Sequence, residues 1–453
     1  MSDKNKPDIP CVAIYNNLEN SYNFLNRSKD PLVVQARLYH GDHGLFWFGP
    51  HKLLFVTTYN PHAEAICRRW GYSGTIVLAP EQPTFEICND ILREEPLVGR
   101  LVEYAGQNRR IQLVPYATTP QLLNLAKVLE EDYGLEVSLP ESLEPEHLWL
   151  RDYFNTKAGF RTMVSQWLVE ENAYPSDDIE MATLPDGTIC EDKTDAARVV
   201  QQFNTMGKPC VVKANLSVSG FGHTVFHPND YPTTQKPYEE LLNDPFLGQD
   251  PIVVEEYIVS DHINSPSIEI FVPPLSEGKP FVTHLATQII EDYDHFCGVI
   301  ISKDLYNAVW FPTLKKSGLL IANHLQQQGF IGHFDLDTIV DGEGNIYLLE
   351  ANARRTGSTH VHEFARFTFG PNYLDKLNLL SIRLSSGVIN TPERLFALME
   401  DLFYPNHGAQ KGIIIFSTTS LKIHEFECII VAPTFEEIIA LRQTLIKRIE
   451  KEK

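Results

Sequence analysis

Residues 332–360 constrain the fold more than any other stretch. They read Gly-His-Phe-Asp-Leu-Asp-Thr-Ile-Val-Asp-Gly-Glu-Gly-Asn-Ile-Tyr-Leu-Leu-Glu-Ala-Asn-Ala-Arg-Arg-Thr-Gly-Ser-Thr-His. Phe334 to Val340 has strand character, and Ile346 to Leu349 reads as a return strand. Between them Asp341-Gly342-Glu343-Gly344-Asn345 supplies turn chemistry, with glycines free to take positive φ. A hairpin of this length brings Asp337 close to Glu350, and the two-residue period of a strand puts Glu350 and Asn352 on one face. Two carboxylates and an amide oxygen then converge, followed by Arg354 and Arg355. Hard oxygen ligands of this kind suit Mg²⁺, which takes one or two carboxylates plus phosphate oxygens. An isolated Asp and Glu on a hairpin are ordinarily solvated acids. The Glu-x-Asn-x-Arg ending is more specific, because charge closing an apolar strand is costly unless it is used.

The chain has 453 residues, enough for two or three domains and a large core. A formal net charge of −21 argues against nonspecific binding to nucleic acid or to an anionic membrane. No apolar run approaches a membrane span, and the first residues lack the hydrophobic region of a signal peptide. Seven scattered cysteines without a Cys-x-x-Cys pair fit reduced thiols and a cytoplasmic location.

From Lys52 to about Leu139 strands and helices alternate, as in a small parallel-sheet α/β domain. Leu53 to Thr57, Thr75 to Leu78 and Ile111 to Val114 read as strands, and Pro61 to Trp70 as a helix. Thr119-Pro120 opens another helix, and Gly134 stops it. Residues 1–50 are hard to read; Val33-Val34 suggests a strand and Gly41 to Gly49 a loop. Pro140 to Pro145 reads as a linker. Residues 147–168 look helical, with Asn155 as a cap and Lys157 and Arg161 on one face. Pro209 to Asn215 is an apolar strand carrying Lys213. The small-residue loop Ser217-Val218-Ser219-Gly220-Phe221-Gly222-His223 follows, which is how backbone N–H groups approach phosphates. Ile252 to Ile258, Ser267 to Val272 and Pro280 to Ile290 are further strands, and Leu314 to Gln328 is a helix. A polar loop is expected from Arg355 to His362 and a helix from Tyr373 to Leu384. Gly412 to Ser417 and Glu427 to Val431 read as strands, and Thr434 to Lys453 as a closing helix with a capping box.

Taken in order, the motifs from about Leu150 to Phe367 resemble the ATP-grasp superfamily, and the N-terminal region resembles its pre-ATP-grasp domain. The implied layout is a pre-ATP-grasp α/β domain over 1–145 and an ATP-grasp domain over 146–385. The latter has a nucleotide lobe at about 180–260 and a metal and catalytic lobe at about 261–385; a C-terminal α/β subdomain covers 386–453. The resemblance implies that Lys157 and Lys213 bind ATP phosphates, with Arg161 able to share the role of Lys157. The loop containing Ser217, Ser219, Gly220, Phe221, Gly222 and His223 would close over them. Glu255 with Tyr257 and Ile258 would hold adenine, and Asp261 or Glu256 the ribose. Asp337, thirteen residues before Glu350, would join Glu350 and Asn352 in holding one or two Mg²⁺ ions, or Mn²⁺; spacing disfavours Asp335. Arg354 would stabilise the transferred phosphoryl group and the acyl intermediate. Glu269, Arg355, Thr356, Gly357, Ser358, Thr359 and His360 are substrate-contact candidates beside His223. The loop Glu-Ala-Asn-Ala-Arg-Arg-Thr-Gly-Ser-Thr is similar to that of the amino-acid and peptide ligases that include the pheganomycin-type enzymes. The implied activity is carboxylate–amine ligation, with small-molecule acid and amine substrates; a homodimer stays open, as does an ATP-binding regulator or phosphotransferase without ligation.

Overall fold

The computed structural model describes residues 9–21, 38–173, 179–216, 222–228, 235–244, 246–248, 250–260, 265–291 and 295–452. Among these the strands form three sheets. The first is parallel, with β1 (Cys11–Ile14), β2 (Lys52–Phe55), β3 (Thr75–Leu78), β4 (Arg110–Pro115) and β5 (Glu136–Ser138) in the order β3-β2-β1-β4-β5. The second contains β6 (Gly187–Cys190), β7 (Cys210–Ala214), β8 (His223–Phe226) and β9 (Ile252–Glu256), ordered β6-β9-β7-β8 and antiparallel.

The third sheet has eight strands: β10 (Pro266–Val272), β11 (Phe281–Glu291), β12 (His295–Ile301), β13 (Gly332–Val340), β14 (Ile346–Asn352), β15 (Asn378–Ser385), β16 (Gly412–Ser417) and β17 (Glu425–Ala432). Their order is β14-β13-β10-β11-β12-β15-β17-β16. The sheet runs unbroken past residue 385, because β12 pairs with β15 and β15 with β17. Residues beyond 386 therefore extend this same sheet through β16 and β17.

Local chemistry explains the helices that frame these sheets. Thr119 accepts the Leu122 N–H at 3.2 Å, and Pro120 needs no hydrogen-bond partner at the first position. Leu122, Leu125, Ala126 and Leu129 then fall on one buried stripe against the parallel sheet. Each large apolar side chain so buried contributes about 1.5–3 kcal/mol. In the closing helix, Phe435–Lys451, Thr434 accepts the Glu437 N–H, but the Glu437 carboxylate reaches Lys411 instead of completing the capping box.

One core joins the two ends of the chain. Phe46, Trp47, Trp70 and Tyr72 pack with Ile413, Ile415, Phe416 and Leu445, and the Trp70 indole N–H donates to the Ile415 carbonyl at 3.0 Å. Asp42, fully buried, accepts hydrogen bonds from Asn60, from the Thr418 and Thr419 N–H groups and from the Thr419 hydroxyl. The N-terminal domain is thereby fastened to the far end of the long sheet.

Three expectations need correction, and one strand was not foreseen. Residues 11–14 form the central strand of the first sheet, a run too short and too flanked by irregular chain to stand out. Gly41 to Gly49 is largely a 3-10 helix, His40–Phe46. Asn378–Ser385 is a strand rather than part of a helix; its apolar residues fit either period, and the neighbours β12 and β17 decide the matter. Residues 147–168 divide into Leu148–Phe154 and Lys157–Ala173. Val33 and Val34 lie outside the described residues. All seven cysteines are buried and unpaired. No helix among the described residues is long and apolar enough to cross a membrane.

Candidate active site

The β13–β14 register sets Asp337 opposite Glu350 and Asp335 opposite Asn352. Phe334 and Leu336 occupy the alternate positions and are wholly buried, which holds both aspartates on the other face. The Asn352 amide donates to Asp337 Oδ2 at 2.8 Å, and the Gln288 amide donates to Asp337 Oδ1. Arg354 donates to Asn352 Oδ1 at 2.7 Å and to the Arg355 carbonyl at 3.0 Å.

The cations arrive from two other elements. Lys157 opens the helix Lys157–Ala173, whose first turn is tied to the end of β7. The Lys157 N–H donates to the Asn215 carbonyl at 3.0 Å, and Asn215 Oδ1 accepts the Ala158 N–H at 2.9 Å. A Cβ on Gly159 would lie 2.0 Å from the Tyr153 carbonyl oxygen, so this tight entry needs glycine. Lys157 reaches Glu350, and Lys213 reaches Glu255. Arg161 pairs with Glu255 at 3.3 Å and donates to the carbonyls of Pro185 and Gly187. Of the two cations on that helix face, Lys157 meets the carboxylate cluster and Arg161 braces β6 and β9. Asn155 is no cap for the second helix; its Oδ1 accepts the Ala353 N–H at 3.2 Å.

Crowding of the acids sets their proton affinities. Burial, and then the charge of Glu350, pushes Asp337 up to about 7. Burial and Asp337 likewise hold Asp335 well above the ordinary carboxylate range. For Glu350 burial works upward, but Lys157, His223 and Lys213 prevail and bring it down to about 2. His223 faces Lys213 across β7 and β8; burial and then the two lysines lower its pKa to about 3, so it is neutral at pH 7.

This donor set fits a divalent cation. Asp335 Oδ1 is buried without a hydrogen bond, and a nearby positive charge would relieve the repulsion that raises Asp335 and Asp337. Among the described residues no three His, Cys, Asp or Glu side chains converge as a self-sufficient metal cage. Two carboxylates with one amide oxygen match a cation that completes its shell with phosphate oxygens and water.

Other anticipated residues are placed differently. Ser217, Ser219, Gly220, Phe221 and Asp261 lie outside the described residues. Gly222 takes φ of 78°, with Ala214 and Phe246 close to where a Cβ would sit. Glu255 pairs with Lys213 and with Arg161, the latter at 3.3 Å. Glu256 pairs with Lys208 at 2.9 Å, the Tyr257 N–H donates to the Pro209 carbonyl, and Ile258 follows at the strand end.

The stretch from Arg355 to His362 is not all loop, because the helix Thr359–Phe369 begins inside it. Arg355 is 1% exposed, lies against Trp47 and Phe48, and is ion-paired with Glu141 at 2.7 Å and with Glu363. It anchors the junction between domains and has no open face for substrate. Glu269 is buried and accepts from Thr356, Thr359 and His333. Ser358 bonds His284 at 2.8 Å, and His360 is buried against His43 and Phe416. These side chains knit the segment from below; Gly357 sits beside Phe296 and contributes only backbone. Sequence reasoning missed Gln288, whose role depends on the end of β10 letting β11 reach Asp337. It also missed Tyr116, Glu141 and His333, which meet Arg354 and Arg355 only through the tertiary fold.

No family model matches the chain, and no curated protein matches it. Solved structures similar to the whole chain include N5-carboxyaminoimidazole synthetase from Staphylococcus aureus complexed with ADP, at 11% identity and a TM-score of 0.53 over 99% of each chain. Biotin carboxylase from Campylobacter jejuni, as its β-γ-ATP complex, is 11% identical with a TM-score of 0.55, over 97% of this chain and 91% of that one. The biotin carboxylase domain of Hydrogenobacter thermophilus 2-oxoglutarate carboxylase, solved with MgADP, ADP and bicarbonate, is 13% identical with a TM-score of 0.51, over 96% and 89%. At these identities the likeness is one of fold. It spans the parallel sheet, the small antiparallel sheet and the long sheet together: the chain has the α/β fold of the ATP-grasp enzymes, preceded by their N-terminal α/β domain.

Proposed function

We propose that the protein is an ATP- and Mg²⁺-dependent carboxylate–amine ligase acting on amino acids or peptides. The observation that carries this reading is the register of β13 and β14. It places Asp337, Glu350 and Asn352 on one face and leads directly to Arg354, with Lys157 already in contact with Glu350.

A substrate carboxylate oxygen attacks the γ-phosphorus of ATP, the bond to the β-phosphate oxygen breaks, and ADP leaves. The amine nitrogen then attacks the acyl carbon, loses a proton, and phosphate departs. Lys157 and Lys213 hold phosphate oxygens, and Arg354 faces the transferring group; fixed charges of this kind carry most phosphoryl-transfer catalysis. Asp337, Glu350 and Asn352 would hold Mg²⁺, which when bound offsets charge on the phosphate oxygens. The ADP and MgADP in the similar solved structures support the choice of nucleotide and metal. The amino-acid or peptide half rests on the sequence of the loop from Glu350 to Thr359.

The test is phosphate release from ATP and Mg²⁺ with single amino acids, amino-acid pairs and short peptides, each positive mixture being analysed by mass. Release that needs two substrates and yields their summed mass less water is the expected result. Phosphate transferred stably to one substrate, or absence of ATP binding, would overturn the reading.

A further inference from the structure

Its own segment holds Arg354 by two hydrogen bonds. Its two short contacts, to Asn352 Oδ1 and to the Arg355 carbonyl, are hydrogen bonds from the edge of the guanidinium. Such bonds leave the planar group free to tilt. The guanidinium carbon lies over the Tyr116 ring, 5.3 Å from its centre.

Tyr116 follows β4, so it belongs to the N-terminal domain rather than to the long sheet. It has little freedom to move. Its N–H donates to the Ile14 carbonyl at 2.9 Å and to Asn16 Oδ1 at 3.0 Å, and its carbonyl accepts the Arg355 N–H at 3.1 Å. Its ring packs against Tyr15 at 5.2 Å and lies nearly parallel to Trp47 at 6.3 Å. One residue therefore holds two consecutive arginines, Arg355 through its backbone and Arg354 through its ring.

Resting on the role proposed above for Arg354, we propose that Tyr116 is a positioning residue of the active site: its aromatic face fixes the guanidinium of Arg354 toward the transferring phosphoryl group. The N-terminal domain then contributes to phosphoryl transfer without touching the substrate. What the role needs is a π-face at this position, so phenylalanine serves and an aliphatic side chain does not.

The test uses the full chain and binding of Mg·ADP with aluminium fluoride, a mimic of the transferring phosphoryl group, compared with Mg·ADP alone by calorimetry. Tyr116→Leu and Tyr116→Met, two variants in case one folds poorly, are expected to weaken the fluoroaluminate complex by about tenfold with Mg·ADP affinity unchanged. Tyr116→Phe restores tight binding. Arg354→Met weakens the mimic too, and adding Tyr116→Leu to it has no further effect, because the cation that the ring positions is already gone. A merely structural tyrosine would affect both ligands alike and would act equally in the Arg354→Met background; either result overturns the proposal. If Arg354→Met itself binds the mimic as the wild type does, the reading of Arg354 fails and the role of Tyr116 fails with it.

Discussion

His333→Gln should remove one arm of the pH–stability profile. His333 is enclosed between Glu269 at 2.9 Å and Glu141 at 3.6 Å. Burial and the nearby Arg355 act to lower its pKa, but the two carboxylates prevail and raise it from 6.5 to about 9. A shift of this size corresponds to about 3 kcal/mol in favour of the folded, protonated state. The sign follows from the raised value. The contribution is fully present below pH 6.5, where the unfolded chain is protonated as well, and it is lost as the pH rises through about 9. Glutamine can keep a hydrogen bond to Glu269 but not the charge. The variant should therefore unfold at lower urea than the wild type at pH 6, with the gap closing by about pH 10. Urea midpoints for both proteins at pH 6, 7.5, 9 and 10 give the measurement. A gap that stays constant across that range would refute the argument, since it would mean that shape and not charge makes His333 stabilising.

Glu350→Gln should fold normally, because the carboxamide is isosteric, yet lose about 3 kcal/mol or more of transition-state stabilisation by weakening Mg²⁺ coordination. Near-normal ATP turnover in the folded variant would overturn the metal assignment. Asp42→Asn should destabilise the protein by about 2–4 kcal/mol, because an amide nitrogen would face the Asn60 amide or the Thr418 and Thr419 N–H groups that now donate to the carboxylate. A thermal melt matching the wild type would show that this buried contact does not fasten the two ends of the chain.

What the sequence made legible was local. The hairpin could be read because its turn residues, its alternation and its closing charges all lie within thirty residues, and the observed register pairs Asp337 with Glu350 as that spacing requires. Lys157 and Lys213 are separated in sequence and meet only because Asn215 ties a helix start to a strand end. The fate of Glu255 was illegible for a related reason. An acid closing an apolar strand looks the same whether it faces a ligand or a lysine, and only the packing of β9 beside β7 sets it against Lys213. The strand Asn378–Ser385 was misread because its neighbours, not its own periodicity, determine its form.

Arg354 and Arg355 are chemically identical neighbours, and a bend just past the end of β14 separates their tasks. The Arg354 N–H donates to the Asn352 carbonyl at 2.8 Å, and the Arg354 side chain turns back to Asn352 Oδ1, beside the carboxylates. The Arg355 side chain leaves the bend elsewhere, where Glu141, Glu363, Trp47 and Phe48 enclose it. Lysine substitution should divide the pair. Lysine at 355 keeps one charge but cannot span two carboxylates from a planar fork, so Arg355→Lys should lose about 2–4 kcal/mol of stability and leave nucleotide affinity unchanged. Arg354 is only partly buried, and its hydrogen bonds run to Asn352 and the Arg355 carbonyl rather than to a carboxylate, so Arg354→Lys should melt close to the wild type and fail in turnover. Urea midpoints together with ATP titrations distinguish the two. If Arg355→Lys proved stable but inactive, this division of tasks would be wrong, and Arg355 would have to reach the substrate through a rearrangement of the junction.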